Sequence, residues 1–382
     1  MPATPSAPPG SLRSFQLGLP AIDAFPRKVW ARIAARHARS LTRNTMAYPD
    51  WQGLPALREE IASYLRVSRG IACTPDALFI TAGFQGALGL IALAAAEPGD
   101  AVWVESPGYF KAAHALRQAG LTLVPVPVDA EGLVVEAGRA QAPAARFAMV
   151  TPTHQFPLGH PLSLARRTAL LRWAGEAGAY VIEDDYDSEY QYGGPRLPAL
   201  KSIDADGRVI YAGSFSKVLF PGLRLGYLVV PAPLTARFAM ACEVLMPSGA
   251  ALDQAVVADF LREGHFSRHV KRMRTLYAER RGALAEALDR AFAGLGRVQG
   301  DRGGMHLLLH LDAGVSDLEA AARAGAAGMA PSPLSVCSPE RSPGHSPGRD
   351  AAPGLLLGFT NIPAADAAHA AERLRRAVEG VG

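Results

Sequence analysis

The sequence predicts an α/β fold with a large domain, its mostly parallel sheet flanked by helices, and a smaller α+β domain at the C-terminal end. Three observations predict it. From residue 78 onward, short β-branched runs alternate with helical patterns, the signature of a layered α/β sheet. A long pattern rich in Arg, Ala and Leu follows over 266–292. The length, 382 residues, suits one large domain plus a smaller one.

The strands are predicted over 78–82, 101–105, 122–126, 147–151, 180–184, 209–212 and 226–230. Each is a short apolar run of the kind that buried parallel strands give. Helices are predicted over 84–96, 109–119 and 164–177. The 266–292 helix links the large domain to the smaller one, whose strands are predicted over 305–311 and 355–359. Between those two strands, 331–354 is dense in Pro, Ser and Gly and reads as a mobile loop. The domain plan is therefore a flexible leader over 1–14, an N-terminal arm over 15–50, a large domain over 51–265, and a linking helix with a small C-terminal domain over 266–382.

Composition bounds the function. Hydrophobic residues make up 49% and charged residues 19%, a soluble globular balance. No apolar run has the length of a membrane span. The beginning of the chain lacks a basic region followed by an apolar stretch, so a secretory signal is not expected. The cysteines Cys73, Cys242 and Cys337 have no paired spacing; a disulfide framework and a zinc site are not expected, and a cytoplasmic setting is. The net charge is +4 with scattered basic residues, so no nucleic-acid partner is expected through this chain. Of 39 basic residues only Lys28, Lys111, Lys201, Lys217 and Lys271 are lysine. A lysine kept in such a chain suggests a task closed to arginine, because only an amine that can lose its proton attacks a carbonyl.

Lys217 has the surroundings for that task. It ends Tyr211-Ala-Gly-Ser-Phe-Ser-Lys217, and Arg224 follows seven residues later. Ser214 and Ser216 can donate to phosphate oxygens and Arg224 can clamp them as a fork. The amine can condense with an aldehyde carbon beside that phosphate. A second strand runs into Glu183-Asp184-Asp185-Tyr186. A buried Asp184 would keep a pyridine nitrogen protonated, and Tyr186 can reach a ring oxygen. A magnesium site is the rival reading of these carboxylates; no second acidic cluster supports it.

Three further strand ends carry candidates. Gly83-Phe84-Gln85 opens a helix whose free N–H groups suit a phosphate, or whose glycine serves packing alone. Tyr109 is either a ring-stacking aromatic or a core one. His154 and Gln155 either reach a ring oxygen or form a satisfied polar pair in the loop. A dinucleotide fold would need Gly-x-Gly-x-x-Gly after a strand, and none is present.

Together these residues suit pyridoxal 5′-phosphate (PLP), the group expected here. The chain resembles the fold-type I PLP enzymes, and most closely the aminotransferase-like domain of MocR-type regulators of the GntR group. The resemblance runs from about residue 15 to the C-terminus. It is carried by Ala47-Tyr-Pro-Asp-Trp-Gln-Gly53, Ser106-Pro-Gly-Tyr109, Ile182-Glu-Asp-Asp-Tyr-Asp-Ser-Glu189 and Gly213-Ser-Phe-Ser-Lys-Val-Leu-Phe-Pro221. It implies that Lys217 forms the Schiff base, Asp184 pairs with the pyridine nitrogen, Tyr186 touches the ring oxygen and Tyr109 stacks on the ring. It implies that Ser214, Ser216 and Arg224 hold the phosphate, with Gly83, Phe84, Gln85 and His154 beside the cofactor. It also implies a homodimer with shared active sites, in which the arm helps form the interface and Tyr48 reaches the partner's phosphate.

Three departures accompany the likeness. Phe84 stands where the family usually has a hydroxyl residue. Leu356 stands where many aminotransferases carry the arginine for the substrate carboxylate. A winged helix-turn-helix domain, with which MocR regulators begin, is not expected in this chain. The expected function is amino transfer between an amino acid or amine and a keto acid; the alternative is a PLP- and effector-sensing module of a regulator. Another PLP reaction, such as decarboxylation or β-elimination, is a third reading.

Overall fold

The structure is a computed structural model, and it describes residues 12–43, 45–192, 197–245, 249–299, 303–312, 314–338 and 353–380. Its larger sheet holds β1 (Leu78–Thr81), β2 (Ala101–Ser106), β3 (Thr122–Asp129), β4 (Gly132–Leu133), β5 (Phe147–Val150), β6 (Tyr180–Asp185), β7 (Val209–Ser214) and β8 (Gly226–Val229). They lie in the order β1-β8-β7-β6-β5-β2-β3-β4. The pairs β7–β6, β6–β5, β5–β2 and β2–β3 are parallel. β8 runs antiparallel to both β7 and β1.

The reversal of β8 has a consequence for the site. β1, pairing through β8, points the same way as β7. The start of β8 therefore lies at the same edge as the carboxyl ends of β1, β2, β5, β6 and β7. Arg224, just before β8, shares an edge with Lys217, just after β7.

Helices cover both faces. Toward one face pack α3 (Gly83–Ala95), α4 (Phe110–Gln118) and α7 (Thr235–Leu245), over a core that includes Phe79, Ile182, Ile210 and Phe238. On the other, α5 (Val135–Gln141) and α6 (Leu164–Ala177) accompany a core centred on the stacked rings of Trp103 and Trp173, 3.7 Å between centroids. α6 has the bounds predicted for it, for a local reason. Ser163 Oγ accepts the Arg166 N–H and Gly178 closes the helix in the left-handed conformation. β3 runs three residues past its predicted end through Pro125 and Pro127. β4 reaches it only at Val128 and Asp129, so most of its outer side is a sheet edge, where proline is tolerated.

At the N-terminal end, α1 (Arg27–Arg39) docks on α8 (Ala251–Arg262) through Arg36 and His37, 2.6 and 2.7 Å from Asp259. α2 (Pro55–Arg69) packs against α8 as well. α9 (His265–Ala291) then leads to a second, antiparallel sheet of β9 (Gly296–Val298), β10 (His306–Leu311), β11 (Ser332–Pro333) and β12 (Gly354–Gly358), in the order β11-β12-β10-β9. α10 (Asp317–Ala326) and α11 (Ala367–Glu379) cover it. Phe15 of the arm bridges to Gly358 of this sheet.

The 331–354 loop prediction needs correction over its described part. Ser332 and Pro333 pair with Leu356 and Leu355, and Leu334–Cys337 form a 3-10 turn. Residues 339–352 lie outside the described residues, as do residues 1–11 of the leader. Among the described residues, no helix is long and apolar enough to cross a membrane.

Candidate functional site

Side chains alternate along a strand, and β6 uses that alternation to sort three consecutive carboxylates. Glu183 turns to one face and accepts the N–H groups of Leu200 and Lys201 at 2.7 and 2.8 Å. Asp185 shares that face, paired with Arg69 at 2.8 Å and bonded by the Tyr211 hydroxyl. Asp184 points the other way, into a cavity of about 290 Å³. The carboxylates do not converge, and among the described residues no group of three His, Cys, Asp or Glu can hold a metal ion.

The cavity lies at the carboxyl edge of the larger sheet. Phe84, Gln85, Tyr109, Asp184, Tyr186, Ser214, Ser216, Lys217 and Arg224 all line it. Lys217 Nζ donates to the Gly18 carbonyl at 3.0 Å. Burial pulls the Lys217 pKa down, while the Asp184 carboxylate opposes the shift. The amine therefore holds its neutral, nucleophilic form more readily than a surface lysine. Burial pushes Asp184 well above the ordinary carboxylate range, with Asp185 and Asp187 adding to the shift.

The loop carrying Lys217 is held from both sides. His269 of α9 bonds the Val218 carbonyl at 3.0 Å, and Phe215 N–H donates to Leu225 O. Arg224 adopts the left-handed region, φ 49°, which is costly for a residue with a Cβ. The turn brings its guanidinium over the start of α3. A Cβ on Gly83 would lie 3.6 Å from it, and Nη2 donates to Ala82 O at 3.3 Å.

His154 and Gly83 are not among the residues that line the cavity. His154 stands behind Tyr186: its Nδ1 is 2.9 Å from the Tyr186 hydroxyl and 3.1 Å from Asp187 Oδ2. Gly83 opens α3 and packs on Gly226, where an added Cβ would come within 3.1 Å of the Gly83 backbone. Gln155 is occupied internally, its amide donating to Glu105, Pro107 O and Phe156 O. Tyr48 is 86% exposed and outside the cavity of its own chain.

Sequence reasoning missed half of the lining. Leu17 and Gly18 come from the arm, Phe110 and Lys111 from α4, Phe156 from the loop after β5, and Met305, His306, Ala330 and Ser332 from around the second sheet. Of these, Lys111 alone carried a signal, as one of the few lysines. Leu356 is buried with Leu308, Leu334 and Cys337, against Leu17, Phe110 and Phe156.

The residues fit a phosphorylated pyridine aldehyde. Asp184 is a buried carboxylate with no hydrogen-bond partner among the described residues, as a protonated ring nitrogen requires. Gln85 Nε2 is a buried donor with no partner there. Ser214, Ser216, Arg224 and the free N–H groups opening α3 supply a phosphate cradle.

Comparison with known proteins agrees. The family model for aminotransferase class I and II matches residues 21–328. The probable rhizopine catabolism regulatory protein MocR of Rhizobium meliloti is 38% identical, over 91% of this chain and 69% of its own length. The 2-aminoadipate transaminase of Thermus thermophilus is 34% identical over 81% of this chain and 77% of its own. The solved structure of LysN, the α-aminoadipate aminotransferase of Thermus thermophilus complexed with N-(5′-phosphopyridoxyl)-L-leucine, superposes with a TM-score of 0.85 at 31% identity, covering 97% of this chain and 92% of that one. The chain takes PLP as its cofactor, has the fold of the fold-type I PLP enzymes, and belongs to the aminotransferase class I and II family.

Proposed function

We propose that the protein is a PLP-dependent aminotransferase that moves amino groups between an amino acid or amine and a keto acid, with Lys217 as the amine that holds the cofactor. The observation that carries this reading is the convergence of Lys217, Asp184, Tyr186, Ser214, Ser216 and Arg224 on one cavity. When bound, the cofactor supplies an electron sink conjugated to the carbon that bears the amino group. Asp184 would hold a proton on the ring nitrogen, Tyr186 would offer its hydroxyl to the ring oxygen, and Tyr109 would lie against the ring. Ser214, Ser216, Arg224 and the start of α3 anchor the phosphate, with Gln85 beside them. Lys217, once its amine is free, would move the proton as general base.

The same reading makes the protein a homodimer with shared sites. Leu41, Met46, Tyr48 and Trp51 are exposed large apolar residues, as are Met240, Val244, Leu245 and Leu252 on α7 and α8. Leu54 N–H, donating to Gln254 at 2.7 Å, ties the first segment to α8. Such an apolar surface suits a subunit interface, from which Tyr48 reaches the partner's cavity.

A second reading has its own support. Leu356 is apolar and buried, and MocR of Rhizobium meliloti is a regulatory protein. In it, the chain senses PLP and an amine effector without completing turnover.

Absorbance tests both. The protein with PLP is expected to absorb in the visible, and Lys217→Ala to lose the band; a variant that kept it would overturn the assignment. An amino donor is expected to bleach the band and a keto acid to restore it. Exchange of amine without bleaching leaves the sensing reading.

A further inference from the structure

We propose that His154 and Asp187 are positioning residues that act through Tyr186 on the cofactor's ring oxygen, and so set the pH at which the Lys217–cofactor linkage gains its proton. The proposal rests on the reading of Lys217 as the cofactor-binding amine.

The geometry runs inward in three steps. Asp187 is buried, and its Oδ2 lies 3.1 Å from His154 Nδ1. An ionised carboxylate only accepts, so Nδ1 carries a hydrogen. That N–H also faces the Tyr186 oxygen at 2.9 Å. Tyr186 donates its own proton to the His154 carbonyl at 3.1 Å; to serve the ring oxygen, that single proton turns from the carbonyl toward the cavity. The hydroxyl is thus held by one residue twice, through its ring and its backbone, and it stands on the cavity wall.

The imidazole has little room to turn. A Cβ on Gly304 would come 2.0 Å from His154 Cε1, so the Gly304 backbone abuts the ring. Gly304 is fixed in turn by its N–H to Tyr190 O at 2.9 Å and by Tyr192, whose hydroxyl donates to Gly304 O at 2.6 Å. The His306 ring lies 5.5 Å from His154, beside Tyr186 and Asp187. The loop that bears His154 is anchored by Arg167, which donates to Pro152 O at 2.6 Å.

The charges that weigh most on Tyr186 are acidic: Asp187, Asp184 and Glu105. Burial and these carboxylates hold its pKa well above the ordinary tyrosine value, so Tyr186 stays a neutral phenol. A neutral phenol that accepts an N–H is polarised and becomes a stronger donor. A donor to the ring oxygen favours the linkage without its proton, because the ring's negative charge is then not shared with a neighbouring N–H. Loss of the relay therefore raises the midpoint. Replacing a charge-assisted bond by a neutral one changes the equilibrium by about tenfold, about one pH unit.

Two measurements test this. In apoprotein with ¹⁵N-labelled histidine, assigned by His154→Asn, Nδ1 of His154 is expected to carry a proton; a bare Nδ1 overturns the proposal whether or not any variant folds. In the loaded protein, the visible band is titrated with pH. Asp187→Asn and His154→Ala are expected to raise the midpoint by about one unit, while His154→Asn, which keeps a donor, restores most of it. In a Tyr186→Phe background, His154→Ala is expected to add nothing; an equal shift there means His154 does not act through Tyr186. A wild-type protein with no visible band overturns the cofactor reading itself, and the apoprotein measurement still decides where the proton sits.

Discussion

Gly18→Ala tests how the N-terminal arm seats the reactive amine. Gly18 has φ +69°, and a Cβ there would lie 2.2 Å from Lys217 Nζ and 3.2 Å from Cε. Alanine meets two separate costs. The left-handed backbone costs about 1–2 kcal/mol. The lysine end must move, breaking its 3.0 Å bond to Gly18 O, and a buried donor left unpaired costs about 1–3 kcal/mol. Gly70→Ala separates the two: its φ is +68°, but the Cβ would meet only Ser202 Cβ at 3.7 Å. Both variants are melted as apoproteins and titrated with PLP by absorbance. Gly18→Ala is expected to melt lower than Gly70→Ala. It is also expected to bind PLP about tenfold more weakly, the equivalent of about 1.4 kcal/mol, with Gly70→Ala unchanged. Equal melting and unchanged PLP binding would refute the idea that the arm places Lys217.

Arg224→Lys keeps the charge and the strained φ of 49° but loses the planar fork. PLP affinity read by absorbance titration is expected to fall by about ten- to a hundredfold, with the apoprotein melting point unchanged. Burial pushes Glu105 up to about 7 from 4.5, against the bonds from Thr151 and Gln155. The folded protein then keeps a proton that the unfolded chain has released, so this group's contribution to stability declines as pH rises from about 4.5 to about 7. Melts of Glu105→Gln and wild type from pH 4.5 to 8 are expected to differ increasingly in the variant's favour as pH rises; a constant difference would rule out Glu105 as the titrating group.

What the sequence made legible is what local physics decides. The buried parallel strands are continuous apolar runs, so β2, β5 and β6 lie where the pattern placed them. Lys217, Asp184 and Ser214 were visible because each sits at or just past such a run. The direction of β8 was not visible, since a four-residue apolar strand reads the same either way. Nor were Leu17, Gly18, Met305 and His306, which reach the cavity through the bridge from Phe15 to Gly358 and the folding-over of the second sheet. The 331–338 stretch misled for a related reason. Its Pro and Ser composition is that of a loop, but the backbone of Ser332 and Pro333 finds a partner in β12, and pairing of that kind belongs to the tertiary fold. His154 shows the converse: its place after a strand was legible, while its position behind the cavity wall depends on Asp187 and Gly304.

The distribution of charge around the cavity explains why the absorbance tests matter more than likeness in deciding between turnover and sensing. The phosphate end is rich in donors: Ser214, Ser216, Arg224 and the start of α3. Away from it the wall is largely apolar, with Leu17, Phe110, Phe156 and Met305 beside His306 and Ser332, and Leu356 buried beneath. Beside Arg224 and Lys217, Lys111 is the remaining Lys or Arg lining the cavity among the described residues, and it is exposed. An apolar wall contributes nothing to a substrate carboxylate and penalises its desolvation. Under the proposed function, binding of the amino group does not by itself bring an acid group onto a cation. A donor panel that varies the distance between amine and acid, with α-amino acids at one end and simple amines at the other, reads that separation directly. Bleaching confined to α-amino acids would mean that a polar group such as Lys111, His306 or Ser332, or one outside this wall, supplies the anion contact.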